Sequence, residues 1–226
     1  MLGTYVNVVA VVIGSLIGLV LHQRFPEKLK RIGFQAIGLC VLVLGTSMAL
    51  KTDNFLILIF SLLLGAFSGE ALGLDRHIEL FGEWLKARIG SRNDQFSEGL
   101  VSAFLLYCMG AMTVVGAIED GLNNDPSILY AKSLMDGCAS VALASAFGLG
   151  VLVSALPLFL YQGGITLAAA SAKSFFTEPL ITELSAVGGV ILMGLGIQLL
   201  DLKEIRVVNF LPALLVVIIL VHVFGY

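Results

Sequence analysis

Residues 54–73 read NFLILIFSLLLGAFSGEALG, and Glu70 is the only charged residue among them. An α-helix of about 20 predominantly apolar residues is long enough to cross the ~30 Å hydrocarbon core of a bilayer. This stretch therefore predicts a membrane-spanning helix. Further apolar runs, separated by turn residues or charges, predict helices of the same kind at 3–21, 33–50, 96–118, 127–155, 157–175, 184–200 and 208–226.

The composition of the whole chain points the same way. Of the 226 residues, 58% are apolar and 13% are charged, with a mean hydropathy of +0.99, whereas soluble proteins have about 45–50% and about 25%. Too little polar surface is left to cover a water-soluble body, so the lipid bilayer is the predicted partner. We predict an all-α fold, a polytopic membrane helix bundle of seven to eight spans that forms one integral membrane domain over residues 1–226. The net charge of −3 provides no basic face, so nucleic acid is not an expected partner.

Two of the apolar runs leave the number of spans open. The run 127–155 is longer than a bilayer requires, so it must tilt, protrude or break, and the sequence GLG at 148–150 favours a break there. The run 157–175 contains Gln162, Gly163 and Gly164 and carries Lys173. We predict a helix broken at the two glycines, with Gln162 pointing inward, and leave open whether this segment crosses or re-enters.

The distribution of basic residues predicts the orientation, because cytoplasmic loops are enriched in Lys and Arg. An N-terminus on the outer side places ten of the thirteen basic residues inside: Arg24, Lys28, Lys30, Arg31, Arg76, Lys86, Arg88, Arg92, Lys203 and Arg206. If 157–175 re-enters, nine are inside, so charge counting does not separate the two versions. The first run lacks a basic n-region and an A-x-A cleavage pattern, so we expect it to be retained as a span.

Residues 75–90, DRHIELFGEWLKARIG, differ from the apolar runs. Ile78, Phe81, Leu85 and Ile89 recur at helical spacing among charged residues, a pattern typical of an amphipathic helix. We predict that the segment 75–95 contains such a helix on the cytoplasmic membrane surface, with Trp84 at headgroup depth. A connector helix packed against the spans is the alternative.

Two pairs of segments resemble each other. GSLIGL at 14–19 resembles ASAFGL at 144–149, and QAIGLCVLVLGTSMAL at 35–50 resembles SAVGGVILMGLGIQLL at 185–200. Transporters are often built from such repeats, so one alternative is a duplication with halves of about 1–75 and 127–226 linked by a span at 96–122. Chance similarity between apolar segments is the other. In a true repeat we expect matching helices to run in matching directions.

Ionisable residues inside apolar runs are candidates for function, because a charge at the bilayer centre costs at least ~2.5–3.5 kcal/mol. Glu70 and Glu98 lie near predicted inner ends of spans, where solvated helix ends explain them equally well. Asp136 is about ten residues into its run and is harder to explain by solvation. Its structural explanation is an i,i+4 ion pair with Lys132, and its functional explanation is a place on a transport path.

Uncharged polar residues extend this set of pathway candidates. Asn7 and Thr46 are predicted to lie toward the outer half of the bundle, and Gln162 toward the inner half. Hydrogen bonds to their own backbone or between helices are the alternative. Small residues four apart, among them Gly14 and Gly18, Gly65 and Gly69, and Ser140 and Ala144, predict close helix packing.

Signatures of enzymes and of bound metals are missing from the sequence. We find no HExxH, GxSxG, Walker or GxGxxG pattern, and the three histidines are far apart. Cys40, Cys108 and Cys138 occur singly, which predicts neither a disulfide framework nor a metal site. We expect a protein that is not an enzyme and needs no cofactor.

Five stretches resemble the bacterial inner-membrane family called domain of unknown function 554, the YqgA/YdfK-like proteins. They are GTYVNVVAVVIGSLIG from residue 3, GAFSGEALGLD at 65–75, FSEGLVSAFLLYCMGAMTVVGAIEDGL at 96–122, LMDGCASVALASAFGLGV at 134–151 and YQGGITL at 161–167. The resemblance covers nearly the whole chain and implies a multi-pass protein of the bacterial cytoplasmic membrane. The family is uncharacterised and is described only in general terms as transporters, so the resemblance implies no binding or catalytic residue.

Two functions follow from this sequence. The leading hypothesis is a membrane transporter or channel for a small solute or ion, with Asp136, Glu70 and Glu98 as gating or cation-handling groups. The alternative is a non-transporting scaffold or regulatory subunit that binds a partner protein through the helix at 75–90. A homo-oligomer is compatible with either hypothesis.

Overall fold

The computed structural model describes residues 1–22, 27–89, 95–108, 111–172 and 177–224. Within these ranges the chain is helical and contains no strand, which confirms the predicted all-α class. Arg24, Arg92 and Lys173, which entered the prediction of orientation or of the 157–175 segment, lie outside the described residues.

The α-helices of the described residues are α1 (Leu2–His22), α2 (Glu27–Ala49), α3 (Phe55–Leu72), α4 (Leu74–Ile89), α5 (Phe96–Cys108), α6 (Ala111–Leu122), α7 (Ser127–Phe147), α8 (Leu149–Val153), α9 (Ala155–Ala172), α10 (Glu178–Leu199) and α11 (Ala213–Phe224). A short 3₁₀ helix, Val207–Phe210, precedes α11.

The helices form two compact units. The first unit comprises Met1–Ile37, Gly82–Cys108 and Met112–Phe175, and so contains α1 and α5 to α9. The second comprises Gly38–Phe81, Met109–Ala111 and Phe176–Tyr226, and contains α3, α10, α11 and the C-terminal part of α2. Each unit combines segments that are distant in the sequence. The predicted repeat halves stay a prediction.

Fewer helices meet the length and apolarity expected of a span than the seven to eight predicted. Among the described residues, five do so, over Leu2–Leu21, Phe55–Leu72, Leu149–Ala169, Glu178–Leu199 and Val207–Phe224, and the bent pair α5 and α6 makes a sixth if it is one span. The difference has a physical cause. Charged residues occupy the first turns of α2, whose apolar part is Gln35–Ala49, and Lys132 and Asp136 lower the apolarity of α7.

The positions of the helix breaks were predicted only in part. The break in 127–155 is confirmed: Gly148 has φ 77° and ψ −142°, a conformation open essentially to glycine, and it separates α7 from α8. The predicted break at Gly163 and Gly164 is wrong, since α9 is continuous from Ala155 to Ala172. A glycine costs a helix only about 1 kcal/mol, too little to end α9.

A break that was not predicted lies in the run 96–118. The chain there forms two helices, Phe96–Cys108 and Met112–Leu122, which are bent by 61° relative to each other. Thr113 donates a hydrogen bond from Oγ1 to the carbonyl oxygen of Tyr107 at 2.7 Å, so one free carbonyl at the end of α5 gains a partner.

Small residues bring helices together in both units, as the spacing predicted. In the first unit, α1 runs parallel to α7: a Cβ at Gly14 would overlap the carbonyl of Gly137, and one at Gly18 would lie 2.5 Å from the carbonyl oxygen of Val141. Close contact between backbones therefore depends on glycine at these positions.

In the second unit, the paired helices are antiparallel. Gly38 faces Gly196 and Gly45 faces Gly189 across α2 and α10, while Gly65 faces Ala213 across α3 and α11. The segments 35–50 and 185–200, which resemble each other, thus run in opposite directions. This pair therefore does not meet the condition of matching directions that was expected of a true repeat.

Short polar contacts fix several helix ends. Asn54 caps α3 by accepting hydrogen bonds from the backbone nitrogens of Leu56 and Ile57, and Gly73 ends the helix with φ 59°. Thr177 caps α10 through Leu180. Before α7, Asp125 accepts hydrogen bonds from the hydroxyl and the backbone nitrogen of Ser127, and these bonds lower the pKa of the Asp125 carboxyl.

The predicted amphipathic helix is present as α4. Its exposed apolar side chains are Leu80, Phe81 and Trp84, each between 55% and 58% exposed. The structure describes neither the side chains of Ile78 and Leu85 nor residues 90–94 of the predicted segment. Its position at a membrane surface stays a prediction.

Candidate functional site

A buried polar cluster joins α1, α7 and α9 in the first unit. It consists of Thr4, Asn7, Lys132, Asp136, Gln162 and Thr166, and we call it the Asp136 cluster. Every member is at most 6% exposed, and Thr4, Asn7 and Gln162 are fully buried. The three helices are distant in sequence, so their packing alone brings these side chains together.

The carboxylate of Asp136 receives donors from two helices. Lys132, one turn earlier on α7, lies with Nζ 2.5 Å from Asp136 Oδ2. Asn7 of α1 donates from Nδ2 to the same oxygen at 3.0 Å. A buried carboxylate needs such partners because desolvation disfavours its charge.

Gln162 extends the hydrogen bonds from α1 into α9. Its Oε1 accepts from Asn7 Nδ2 at 2.8 Å, and its Nε2 donates to Thr4 Oγ1 at 3.4 Å. Thr4 and Thr166 bring their hydroxyl oxygens to 3.2 Å, and Thr166 also donates to the carbonyl of Gln162 at 2.9 Å. Gln162 therefore points inward, as predicted, but from an unbroken helix.

One oxygen of this cluster has no hydrogen-bond partner. Both hydrogens of the Asn7 amide nitrogen are used, on Asp136 and Gln162, while the buried Oδ1 has no partner among the described residues. Exchanging the amide nitrogen and oxygen would remove both donor bonds, so the hydrogen-bond partners determine the orientation of the amide. The cluster thus presents a free acceptor in its interior.

A second buried hydroxyl pair borders the cluster. Tyr107, at the end of α5, and Ser140 of α7 bring their oxygens to 2.7 Å, and Ser140 donates to the backbone carbonyl of Asp136 at 2.6 Å. Both side chains are fully buried. The broken end of α5 is thereby tied to the same turn of α7 that carries Asp136.

Another buried carboxylate in the first unit fixes the start of α1. Asp120 of α6, only 2% exposed, accepts from the backbone nitrogen of Gly3 at 3.1 Å and from the amino group of Met1 at 2.9 Å. The sequence analysis did not single out Asp120, because it lies beside a loop, where an acidic residue is ordinarily solvated.

Glu70 lies in the second unit, in a network at the end of α3. Arg206 donates to Glu70 Oε1 at 3.0 Å, and Asn209 donates to Oε2 at 2.7 Å. Asn209 also accepts from the backbone nitrogen of Asp75 at 2.8 Å. The Glu70 side chain is 62% exposed, so its contacts fit the alternative of a solvated helix end.

Glu183 is a buried carboxylate of the second unit that the sequence analysis missed. It is 1% exposed and accepts from Thr52 Oγ1 at 2.6 Å, Asp53 N at 2.8 Å and Asn54 N at 3.0 Å. These bonds tie α10 to the turn between α2 and α3. Its partners among the described residues are neutral donors of that one turn, which indicates a structural role.

The remaining pathway candidates lie elsewhere. Thr46 is exposed, and its hydroxyl donates to the carbonyl of Leu42 on its own helix at 2.8 Å. Glu98 lies half-buried in the first turn of α5. The structure thus brings together Asp136, Asn7 and Gln162, and adds to them Lys132, Thr4 and Thr166. The prediction that Asn7 and Gln162 lie toward opposite halves of the bundle is wrong, because their amides are in direct contact. No group of three or more His, Cys, Asp or Glu residues that could hold a metal occurs among the described residues.

Comparison with known proteins places the chain in a family. The family model described as "Protein of unknown function (DUF554)" matches residues 2–222. The chain belongs to this family. Members of the DUF554 family with curated records include the "Uncharacterized membrane protein YdfK" of Bacillus subtilis (strain 168), 34% identical over 100% of this chain and 99% of the relative. The "Uncharacterized protein YqgA" of Escherichia coli (strain K12) is 31% identical over 95% of this chain and 93% of the relative. No solved structure matches the chain.

Proposed function

We propose that this protein is a multi-pass membrane transporter or channel for a small solute or ion, and that the Asp136 cluster lies on its path. The Asp136 cluster is the observation that carries the proposal. Six polar or charged side chains from three helices are buried in the first unit, whose exposed side chains include Leu134, Leu160 and Leu167, each at least 64% exposed. Ionisable groups are retained in such apolar surroundings mainly where function or pairing requires them.

The directions of the packed helices support a chain that crosses the bilayer eight times. In this arrangement the chain starts outside and crosses in alternating directions through α1, α2, α3, the bent pair α5 and α6, α7, α9, α10 and α11. Helices α1 and α7 then run in the same direction, and α2 runs antiparallel to α10. Both relations hold within their own units. If α9 re-entered and returned to the side from which it started, α10 would cross in the same direction as α2. The antiparallel packing of α2 and α10 therefore supports a crossing by α9.

Membership in the DUF554 family supports a place in a membrane, since one relative is named as a membrane protein. The location we propose is the bacterial cytoplasmic membrane, with the N-terminus outside. The basis for the orientation is that ten of thirteen basic residues then lie in inner loops.

Reconstitution of the purified protein in proteoliposomes tests the proposal. A light-scattering assay follows entry of small sugars, amino acids and polyols, and a voltage-sensitive dye follows ion movement. We expect flux by the wild type and at least a tenfold loss in Asp136→Asn, because the buried charge is removed. The control is Asp201→Asn, which neutralises an exposed carboxylate outside the cluster and should retain flux. Wild-type flux in a folded Asp136→Asn protein would refute the role of Asp136.

A non-transporting scaffold or regulatory subunit is the second candidate. The observation that favours it is the exposure of Leu80, Phe81 and Trp84 on α4, a helix that also carries six charged residues. This function requires that a partner protein copurify with the wild type and be lost on Trp84→Ala. It also requires that the protein alone move no solute or ion.

A further inference from the structure

We propose that the Asp136 cluster binds a monovalent alkali cation the size of sodium, which displaces the ammonium group of Lys132 from Asp136. This inference rests on the proposed function, because it names the ion that the cluster would handle. It depends on three features of the cluster: a free acceptor, an internal cation whose described contact is a single oxygen, and further oxygen atoms in the same hydrogen-bonded network.

The free acceptor is Asn7 Oδ1. It is fully buried and without a partner among the described residues, while its own amide nitrogen holds Asp136 Oδ2 at 3.0 Å. A buried acceptor without a hydrogen-bond partner destabilises the folded protein. A cation beside Asn7 and Asp136 would satisfy it, and the short link between the two side chains keeps both within reach of one ion.

Lys132 is the internal cation. Of the Lys and Arg residues whose burial the structure describes, it alone is buried, at 5% exposure. An ammonium group carries three donors, and the contact that the structure gives Lys132 Nζ is Asp136 Oδ2. A side chain held at one point on a flexible four-carbon stem can leave that point when another cation takes it.

The hydrogen-bonded network that includes the pair contains further oxygen atoms. Beyond the carboxylate of Asp136 and the amide oxygen of Asn7, the cluster contains Gln162 Oε1 and the hydroxyls of Thr4 and Thr166. Alkali cations, like other hard cations, bind oxygen donors of this kind. One carboxylate balances one positive charge, so sodium and the Lys132 ammonium compete for it and do not bind together.

The experiment measures thermal unfolding of the purified full-length protein in detergent, with sodium chloride replaced stepwise by choline chloride at constant total salt. A ligand that binds the folded state raises the unfolding temperature as its concentration rises. The variants are Lys132→Gln, the double variant Lys132→Gln with Asp136→Asn, and Asn7→Leu. The control is Lys51→Gln, which neutralises an exposed lysine outside the cluster.

We expect sodium to stabilise the wild type and the control equally. Lys132→Gln should be destabilised in choline, because Asp136 loses its counter-charge, and sodium should restore stability at a concentration about tenfold lower than in the wild type. The double variant, whose pair is neutral and which we expect to fold, should show no sodium dependence. Asn7→Leu should need about tenfold more sodium.

Three results would overturn the inference. The first is that the unfolding temperature of neither the wild type nor Lys132→Gln depends on sodium. This result is expected if the pair is structural or if water satisfies Asn7. The second is a sodium effect that the double variant retains. The third is a dependence of Lys132→Gln on pH and not on sodium, which would make the proton the exchanging ion. Because no step requires flux, sodium binding without transport would refute the proposed function alone, and transport without sodium binding would refute this inference alone.

Discussion

Asn7 and Lys132 donate to the same oxygen, Oδ2 of Asp136, although Asn7 reaches it from α1 and Lys132 from α7. The carboxylate is thereby the point at which a local ion pair within one helix meets a contact between helices. Changing any of these three residues affects both.

The first prediction concerns the ion pair. Asp136→Asn leaves the buried ammonium of Lys132 without compensation and should destabilise the protein by about 3–5 kcal/mol. Neutralising both residues together should restore most of that loss, because no buried charge remains. Thermal unfolding in detergent measures the stability, and flux in proteoliposomes is measured beside it. If Asp136 also acts in transport, the double variant regains its stability but shows no flux. Restored flux would assign the pair a structural role only.

The second prediction concerns the contact of α1 with α7. Gly14→Ala and Gly18→Ala place a Cβ against the backbone of α7, where the carbonyl groups of Gly137 and Val141 lie. Overpacking of this kind costs about 1–3 kcal/mol, so the midpoint of thermal unfolding should fall. The matched control is Gly164→Ala, since a Cβ at Gly164 meets no atom within 4 Å. Equal effects at Gly18 and Gly164 would contradict the packing described here.

The third prediction concerns the buried carboxylate of the second unit. Glu183→Gln removes a negative charge that accepts three hydrogen bonds from residues 52–54. Because hydrogen bonds to charged groups contribute about 1.5–3 kcal/mol each, we expect a loss of at least about 2 kcal/mol. Glu178→Gln, at an exposed position of the same helix, should change stability by less than about 0.5 kcal/mol. If Glu183→Gln left the stability unchanged, other contacts would be holding the turn.

The fourth prediction concerns orientation. Single cysteines introduced in 22–32 and in 119–126 lie on opposite sides of the membrane in the proposed arrangement. In a background without Cys40, Cys108 and Cys138, an impermeant maleimide applied to whole cells should label 119–126 and leave 22–32 unlabelled. Disrupted cells, in which both positions react, provide the control. The reverse labelling pattern would invert the proposed orientation.

Local features of this protein were predictable from its sequence. The i,i+4 spacing of Lys132 and Asp136 predicts their ion pair, and the structure contains it. The extent of α4 also follows from the pattern of residues 75–90, because helical periodicity depends only on near neighbours.

Features that depend on long-range packing were not predictable. Asn7 and Gln162 are 155 positions apart, and no periodicity specifies that their amides meet. The misplaced helix break has a similar cause. Gly163 and Gly164 suggested a break, but both tolerate a helical backbone, whereas the bend between α5 and α6 lies in a run whose composition does not differ from that of its neighbours. Glu183 was overlooked because its partners, residues 52–54, are far away in sequence.

The parallel pairing of α1 with α7 also has a consequence for biogenesis. Asn7 leaves the ribosome 129 residues before Asp136. At synthesis rates of about 5–20 residues per second, Asn7 waits roughly 6–26 seconds for Asp136 of α7. The partners of Thr4, which are Gln162 and Thr166 of α9, are made later still. In the proposed bilayer location, Thr4 and Asn7 face lipid or an assisting insertase during that interval. The first helix to be made is therefore among the last to complete its contacts, and cells with slowed translation or a depleted insertase should lose this protein through degradation of chains whose α1 has not yet packed.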